Sequence, residues 1–589
     1  MSESFKWELS FGAQPIGPER TRFTLFAPAQ DAVSLEVDEH GSFPMRRTPG
    51  GRFEITFSCG TGTRYRYRLA DGLAVPDPAS RAQASDVHDW SVVIDPCTYR
   101  WHTPWLGRPW TQTVLYEAHV GLLGGFRGVQ EQLPRLAALG ITAVELMPVN
   151  DFPGRRNWGY DGVLPFAPDA AYGTPDDLKA LVDMAHAHGM MMFLDVVYNH
   201  FGPDGNYIGS YAPQFFRDDL RTPWGPAIDF RLPEVRRFFT ENAIYWLMEY
   251  RFDGLRFDAV HAISESDWLD EMAHAVRETV EPGRRVHLVL ENEFNRASHL
   301  RGEFDAQWND DIHHVLHVLL TGEHSGYYED FAQDTAVKLA RALSEGFVYQ
   351  GEPSPHREGG GRGSPSADLP PYAFVSFLQN HDQIGNRAFG ERLTTLAEPR
   401  AMEAAIALQM LAPQIPLIFM GEETASETPF YFFTDHHGAL AEAVREGRRR
   451  EFAKFSDFAD PVRREKIPDP NDIGTFERSA PHPGGERGEA RRDLYRRLLA
   501  LRATEIVPRL SGSRSAGASA VGPAAVVARW RMGDGGLLTL ACNLGEREAP
   551  LVERAFGQLL FESDMGVANH ARAGTLASYA TVVFLDRQS

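Results

Sequence analysis

The chain has 589 residues, with 59 Lys and Arg against 80 Asp and Glu, a net charge of −21 and 43% hydrophobic residues. That acidity argues against a nucleic-acid partner, which would need a basic footprint, and no apolar run is long enough to span a bilayer. Cys59, Cys97 and Cys542 are too few and too scattered for a disulfide framework or a zinc motif. The opening MSESFKWELSFGAQ lacks the apolar core of a signal segment, so a cytoplasmic location is expected.

Residues 1–90 read as a small β-sandwich. RFTLFAPAQDAVSLEV alternates apolar and polar residues on both sides of a PAQD turn, and RYRYRLADG alternates again before a glycine turn. Residues 91–505 change character, with strand-like runs alternating with helix-like ones. TVLYEAHVG (113–121) and ITAVELMPV (141–149) read as strands flanking the helical run VQEQLPRLAALG, which Gly140 stops. TPDDLKALVDMAHAHG carries helix-start signals: Thr174 as N-cap, Pro175 behind it, and Asp176 and Asp177 in the first turn. MMMFLDVVYNH is nearly all apolar, as a buried parallel strand requires. Further strands are expected near 253, 286, 304, 373 and 415. Eight strand–helix units predict a closed (β/α)8 TIM barrel, a multidomain α/β architecture. The Gly/Pro/Ser-rich GEPSPHREGGGRGSPSADLPP (351–371) reads as a flexible surface excursion, and SGSRSAGASAVG (511–522) as a loop. Residues 506–589 return to β, with a hairpin signal at GDGG, and are expected to form a C-terminal antiparallel sandwich.

Barrel enzymes place their chemistry at the C-terminal ends of the strands. Asp195, Asn199 and His200 end the third, Arg256 and Asp258 the fourth, Glu291 the fifth, and His381 and Asp382 the seventh. Three carboxylates, Asp258, Glu291 and Asp382, therefore converge on one mouth. Crowded carboxylates must sit in different environments, so that one stays ionised and another keeps its proton. That is the equipment for glycoside hydrolysis with retention of configuration. Glu293 shares the facing of Glu291 and is a rival for its role. His313, His314 and His317 lack the Glu of a zincin helix, and DPNDIGTFE (469–477) fails the spacing of a calcium loop, so no metal and no cofactor are expected.

DVVYNH (195–200), GLRFDAVHA (254–262), LENE (290–293) and QNHDQ (379–383) resemble, in order and spacing, the four motif regions of the α-amylase family of glycoside hydrolases. The resemblance covers the whole middle segment. The N-terminal module is similar to the one preceding the barrel in branching and debranching relatives. The resemblance implies Asp258 as nucleophile, Glu291 as general acid and base, and Asp382 as the group that helps distort the bound sugar. It further implies that Arg256 keeps Asp258 ionised, that His200 and His381 donate to sugar hydroxyls, and that Tyr160 stacks on the cleaved sugar. A core role for Tyr160 is the alternative. His261 and Ala262 stand where endo-amylases usually carry a Lys-His pair, which implies a different aglycone.

ELMPVNDFPGRRNWGYDG, AQWNDDIHHVLH, FLQNHDQIGNRAFGERL and ETPFYFFTDH resemble one subfamily. Its members cleave the α-1,4 bond beside the terminal trehalose of maltooligosyltrehalose. The implied substrates are maltooligosyltrehalose and other α-1,4-glucans, and the implied functional partner is a maltooligosyltrehalose synthase. Trp308 and Asp310, with Asn309, Asp311, Asn386, Arg387, Glu391 and Arg392, are candidates for holding trehalose. A glucan branching enzyme and a non-catalytic glucan-binding protein are the competing readings; the second fits poorly with three acids present.

Overall fold

The structure, a computed structural model, describes residues 7, 9–455, 458, 460–551 and 557–587. Residues 1–6 and 8 of the stretch read above for a signal segment lie outside the described residues. Eight parallel strands close into a barrel: β1 Leu115–Ala118, β2 Ala143–Leu146, β3 Met191–Val196, β4 Gly254–Phe257, β5 His287–Leu290, β6 Ala306–Trp308, β7 Phe374–Ser376 and β8 Ile415–Phe419, with β8 pairing back onto β1. The principal outer helices are α1 Gly125–Leu139, α2 Pro175–Ala187, α3 Pro233–Glu249, α4 Asp267–Thr279, α5 Asp310–Thr321, α6 Thr335–Glu345, α7 Pro399–Leu411 and α8 Gly485–Leu501. Helix α2 starts as its sequence signals: Thr174 and Asp177 form a reciprocal capping box with Pro175 in the first turn. Between β5 and β6 the return is a loop with one short turn, His299–Arg301.

Strand alternation sorts the barrel interior into two layers. Leu115, Ala143, Phe193, Val289, Ala306 and Val375 form a dry apolar plug. Two residues further along their strands, Glu117, Glu145 and Asp195 face the same side, with Arg256 beside them on β4. Gly254, two residues before Arg256, leaves space for the Phe193 ring of the plug, since a Cβ there would sit 2.1 Å from it.

The N-terminal module is a sandwich of two antiparallel sheets. One is ordered Gly12–Gly17, Arg20–Phe26, Arg52–Phe57, Arg46–Thr48, and the other Gly41–Pro44, Val33–Val37, Arg64–Leu69, Ala74–Val75. Ser91–Val92 still pairs with Arg64–Leu69. Phe23, Leu25, Leu35, Phe53, Tyr65 and Tyr67 fill the space between the sheets. The module docks on α3: Phe11 meets Phe238 edge-on at 5.3 Å, Ser10 N–H donates to Glu241 Oε2 at 2.7 Å, and Arg52 pairs with Glu234.

The C-terminal sheet runs Arg514–Gly522, Ala525–Arg531, Leu537–Asn543, Ala580–Asp586, Gln558–Glu562. Its inner face (Val526, Ala528, Trp530, Leu538, Leu540) belongs to the same core as the barrel helices. Trp530 Nε1 donates to Leu343 O on α6 at 3.2 Å, and Thr581 Oγ1 to Ala404 O on α7 at 2.8 Å. The ribbon Ala549–Pro550/Thr575–Leu576 and helix Val567–Ala573 cover the outer face.

Two sequence expectations fail. SGSRSAGASAVG is the edge strand Arg514–Gly522 rather than a loop; small residues let it lie against α6. The 351–371 excursion is a pinned hairpin, Gln350–Pro353 against Gly361–Gly363. Asp330 accepts from Ser354 Oγ at 2.6 Å and His356 N at 2.8 Å, and Arg362 pairs with buried Asp311 at 2.8 Å. Its composition resembles a linker because these few polar anchors, not apolar periodicity, hold it.

Candidate active site

A cleft of about 530 Å³ opens at the C-terminal end of the barrel. Asp258, Glu291 and Asp382 all line it, with Arg256, Tyr160, His200, His261, Asp310 and His381. The strands bring these residues together because each ends a barrel strand or lies in the segment that follows one on the same side of the barrel.

Arg256 organises the floor. It is 1% exposed. Its Nη1 donates to Asp195 Oδ2 at 2.7 Å and to Asp258 Oδ1 at 2.8 Å, and its Nη2 lies 2.8 Å from Glu291 Oε2. Asn199 Nδ2 donates to Asp258 Oδ2 at 2.9 Å. Burial alone would raise the Asp258 carboxyl, but Arg256, His200 and the hydrogen bonds from Asn199 and Arg256 hold it below the usual carboxylate range. Glu291 takes the opposite direction. Burial raises it well above the ordinary value, and Asp258, Asp310 and Asp382 add to this against the pull of Arg256. Glu291 Oε2 also accepts the Ala259 N–H at 2.8 Å. Ala259 reaches it by adopting a left-handed φ of 39°, a strained conformation for alanine.

Asp382 is raised by burial and by Asp258, opposed by His381, and Asn386 Nδ2 donates to it at 2.6 Å. Burial pushes Asp310 up to about 7, against Arg362 and with help from Asp382. The rival Glu293 sits on the rim, half exposed, paired with Arg357 and His261.

Aromatic side chains frame the mouth. Tyr160 stacks on His381 at 5.0 Å and its hydroxyl donates to Asp195. His200 stacks on Trp224 at 4.9 Å. Both His200 ring nitrogens already face protein oxygens, Asn199 Oδ1 and Tyr160 O, which corrects the expectation that this histidine donates to sugar hydroxyls. Trp308 is a second correction. It does not line the cleft; it lies 1% exposed beneath Arg256, whose guanidinium sits 4.2 Å above its ring. An aromatic at the last position of β6 points into the barrel, where it completes the plug. Asn309, Asp311 and Arg392 are likewise buried structural anchors, bonded to Gly346 O, to Arg362 and to Met420 O. Arg387 is tied to Glu323 and Glu391.

Sequence reasoning missed Glu117, Glu145, Trp224, Arg357 and Arg362. A glutamate inside each of two apolar strands was the available signal for the first two. The last two lie in the 351–371 stretch, whose composition predicts a flexible surface excursion. His313 and His317 bond to Leu378 O and Glu323, and no group suited to a metal ion occurs among the described residues.

The comparisons agree with this geometry. A family profile described as "Alpha amylase, catalytic domain" matches residues 79–219, and one described as a domain of unknown function matches 513–583. A malto-oligosyltrehalose trehalohydrolase of Deinococcus radiodurans is 42% identical over 83% of this chain and 82% of its own length. Its namesake from Saccharolobus solfataricus is 39% identical over 76% and 81%. A crystal structure from Salmonella typhimurium, described as an α-amylase, superposes with a TM-score of 0.92 at 43% identity over 99% of this chain and all of that one. The chain therefore belongs to the malto-oligosyltrehalose trehalohydrolases, a branch of the α-amylase family of glycoside hydrolases.

Proposed function

We propose that Asp258 attacks the anomeric carbon of an α-1,4-linked glucose, that Glu291 protonates the departing oxygen, and that the leaving group is trehalose. The protein is a glycosidase of the trehalohydrolase family, so its substrate class is the trehalose-capped α-1,4-glucan. The observation that carries the roles is the shared guanidinium of Arg256. It holds Asp258 low while Glu291 stays high, which splits two adjacent carboxyls into an ionised nucleophile and a protonated acid. Two carboxyls bound to one guanidinium stand close, as in a retaining pair about 5 Å apart, rather than at the wider gap of an inverting pair. After the glycosyl–Asp258 ester forms, Glu291 takes a proton from water, which hydrolyses the ester and restores both groups.

Asp382 and His381 hold the sugar's hydroxyls, with Tyr160 as its stacking face. Asp310, His261, Trp224 and Arg357 line the remaining walls. Arg256 acts on the acids, and Trp308 supports Arg256. We read 1–90, 91–505 and 506–589 as N-terminal module, catalytic barrel and C-terminal domain. No helix among the described residues is long and apolar enough to cross a membrane; a cytoplasmic setting, beside a synthase that makes the trehalose cap, is our reading.

Product analysis tests this. Purified protein incubated with maltotriosyltrehalose should release trehalose, and should cleave a maltooligosaccharide of matched length far more slowly. Equal cleavage of both, or longer branched products, would overturn the trehalose assignment.

A further inference from the structure

At the end of β1 lies a carboxylate that the reaction above does not use. Glu117 is 1% exposed, and both its oxygens are spent on one residue. Oε1 meets His381 Nδ1, and Oε2 accepts the His381 backbone N–H at 3.1 Å. His381 is the first residue of a short helix whose N-cap, Asn380, is itself bonded, so the backbone there is fixed. The imidazole is also held on its faces and edges: Tyr160 stacks at 5.0 Å, Trp158 meets it edge-on at 5.6 Å, and Trp308 lies 6.2 Å away. What remains open is the side of the ring lining the cleft.

We propose that Glu117 is a positioning residue: it fixes the His381 ring, keeps Nδ1 protonated and holds the imidazole in its charged form, so that Nε2–H is presented as a donor to a sugar hydroxyl. The inference rests on the reading of His381 given above. The ionisable or charged groups facing His381 are Glu117 from β1, His119 just after it, Tyr160 from the loop after β2, Arg256 from β4, and Asp382 beside it at the mouth. Of the carboxylates only Glu117 touches the ring. Burial works against the imidazolium, yet the attraction and hydrogen bond of Glu117 outweigh it, so His381 is raised above its ordinary value. Glu145, in register with Glu117 on β2, does not compete for the proton on His381. Burial and the nearby Glu117 and Asp195 raise Glu145 well above the ordinary carboxyl value, and neither of its oxygens has a protein partner. A charged donor gives the stronger hydrogen bond, and bonds to the hydroxyls of the reacting sugar tighten in the oxocarbenium-like transition state.

Histidine-labelled protein, followed by ¹H–¹⁵N spectra across pH with the His381 signal assigned through His381→Gln, reads the charge directly. The wild-type signal should titrate above the ordinary imidazole value. In Glu117→Gln it should titrate at least about one unit lower. At pH 7 the same variant should lose about tenfold or more in kcat, with KM within about threefold. Glu117→Asp should recover part of both losses. If Glu117→Gln does not fold, Glu117→Asp carries the test, since its shorter reach should also lower the titration. An unshifted titration in the variants, or a loss confined to KM, overturns the proposal. The titration reads the pairing whatever the substrate is, so a failure of trehalose release leaves it separately decidable.

Discussion

Replacing Arg256 by Gln should move the whole pH–rate profile to higher pH. Arg256 makes contacts of 2.7–2.8 Å to Asp195, Asp258 and Glu291. In the native site it lowers both Asp258 and Glu291, overcoming burial at Asp258 only. Without it Asp258 is left desolvated among acids. One charge-assisted hydrogen bond is worth about 1.5–3 kcal/mol, which corresponds to about 1–2 pH units. The acidic limb of kcat/KM, set by ionisation of Asp258, should rise by that amount, and the alkaline limb, set by loss of the Glu291 proton, should rise with it. Well below the shifted limb the activity should fall by about 10–100-fold from this effect alone, and at pH 5 by less than about tenfold, because the native limb starts below the ordinary carboxylate value. Removing one member of a buried ion network costs about 3–5 kcal/mol of stability. The sign of its pH dependence follows. Asp258, now lowered on folding, stabilises the native protein above its unfolded pKa, and that contribution fades as pH falls through the folded value. In the variant the carboxyl is raised instead, so the stability deficit should be smaller at pH 5 than at pH 8. Initial rates of trehalose release from pH 3.5 to 9, with thermal melts at both pH values, check this. An unmoved acidic limb would refute the assignment of Arg256 as the group that keeps Asp258 ionised.

Asp258→Ala should abolish turnover while isothermal titration still detects maltotriosyltrehalose; retained activity would sink the nucleophile assignment. Glu291→Gln should lose the alkaline limb and suffer far more on natural substrate than on a donor with an activated leaving group, measured as the ratio of the two kcat/KM values. Trp308→Leu should lower kcat and melting temperature together, by about 2–4 kcal/mol in stability from the lost ring and its cation–π contact, and leave KM nearly unchanged because the ring does not line the cleft. Ala259→Gly removes a left-handed strain of about 1–2 kcal/mol, so the protein should melt higher while kcat drops as the N–H on Glu291 loses its fixed direction.

The barrel was legible because its strands are short apolar runs ending in polar clusters, and the helices between them carry ordinary caps. Two of the three acids were legible for the same reason, since Asp258 and Glu291 directly follow β4 and β5, whereas Asp382 lies past the end of β7 in the short helix His381–Gly385. Two kinds of feature were hidden. Trp308 and His200 have the right residue types at the right places, yet side-chain direction and competing partners, which spacing does not encode, took them off the sugar. Arg357 and Arg362 sit in a glycine-rich stretch held by Asp311 and Asp330, anchors distant in sequence. Glu117 and Glu145 could have been noticed as charges inside apolar strands, but their partners come from other strands.

The C-terminal sheet has a bearing on how the protein is made. Its inner face completes the covering of α6 and α7, and Trp530 and Thr581 cap carbonyls on those helices. Helices from the second half of the barrel are therefore uncovered while the chain is still being synthesised, and stay so until the last strand, Ala580–Asp586, has left the ribosome. A chain lacking the closing strand would carry an exposed apolar flank along α6 and α7, a substrate for quality control rather than a weakened enzyme.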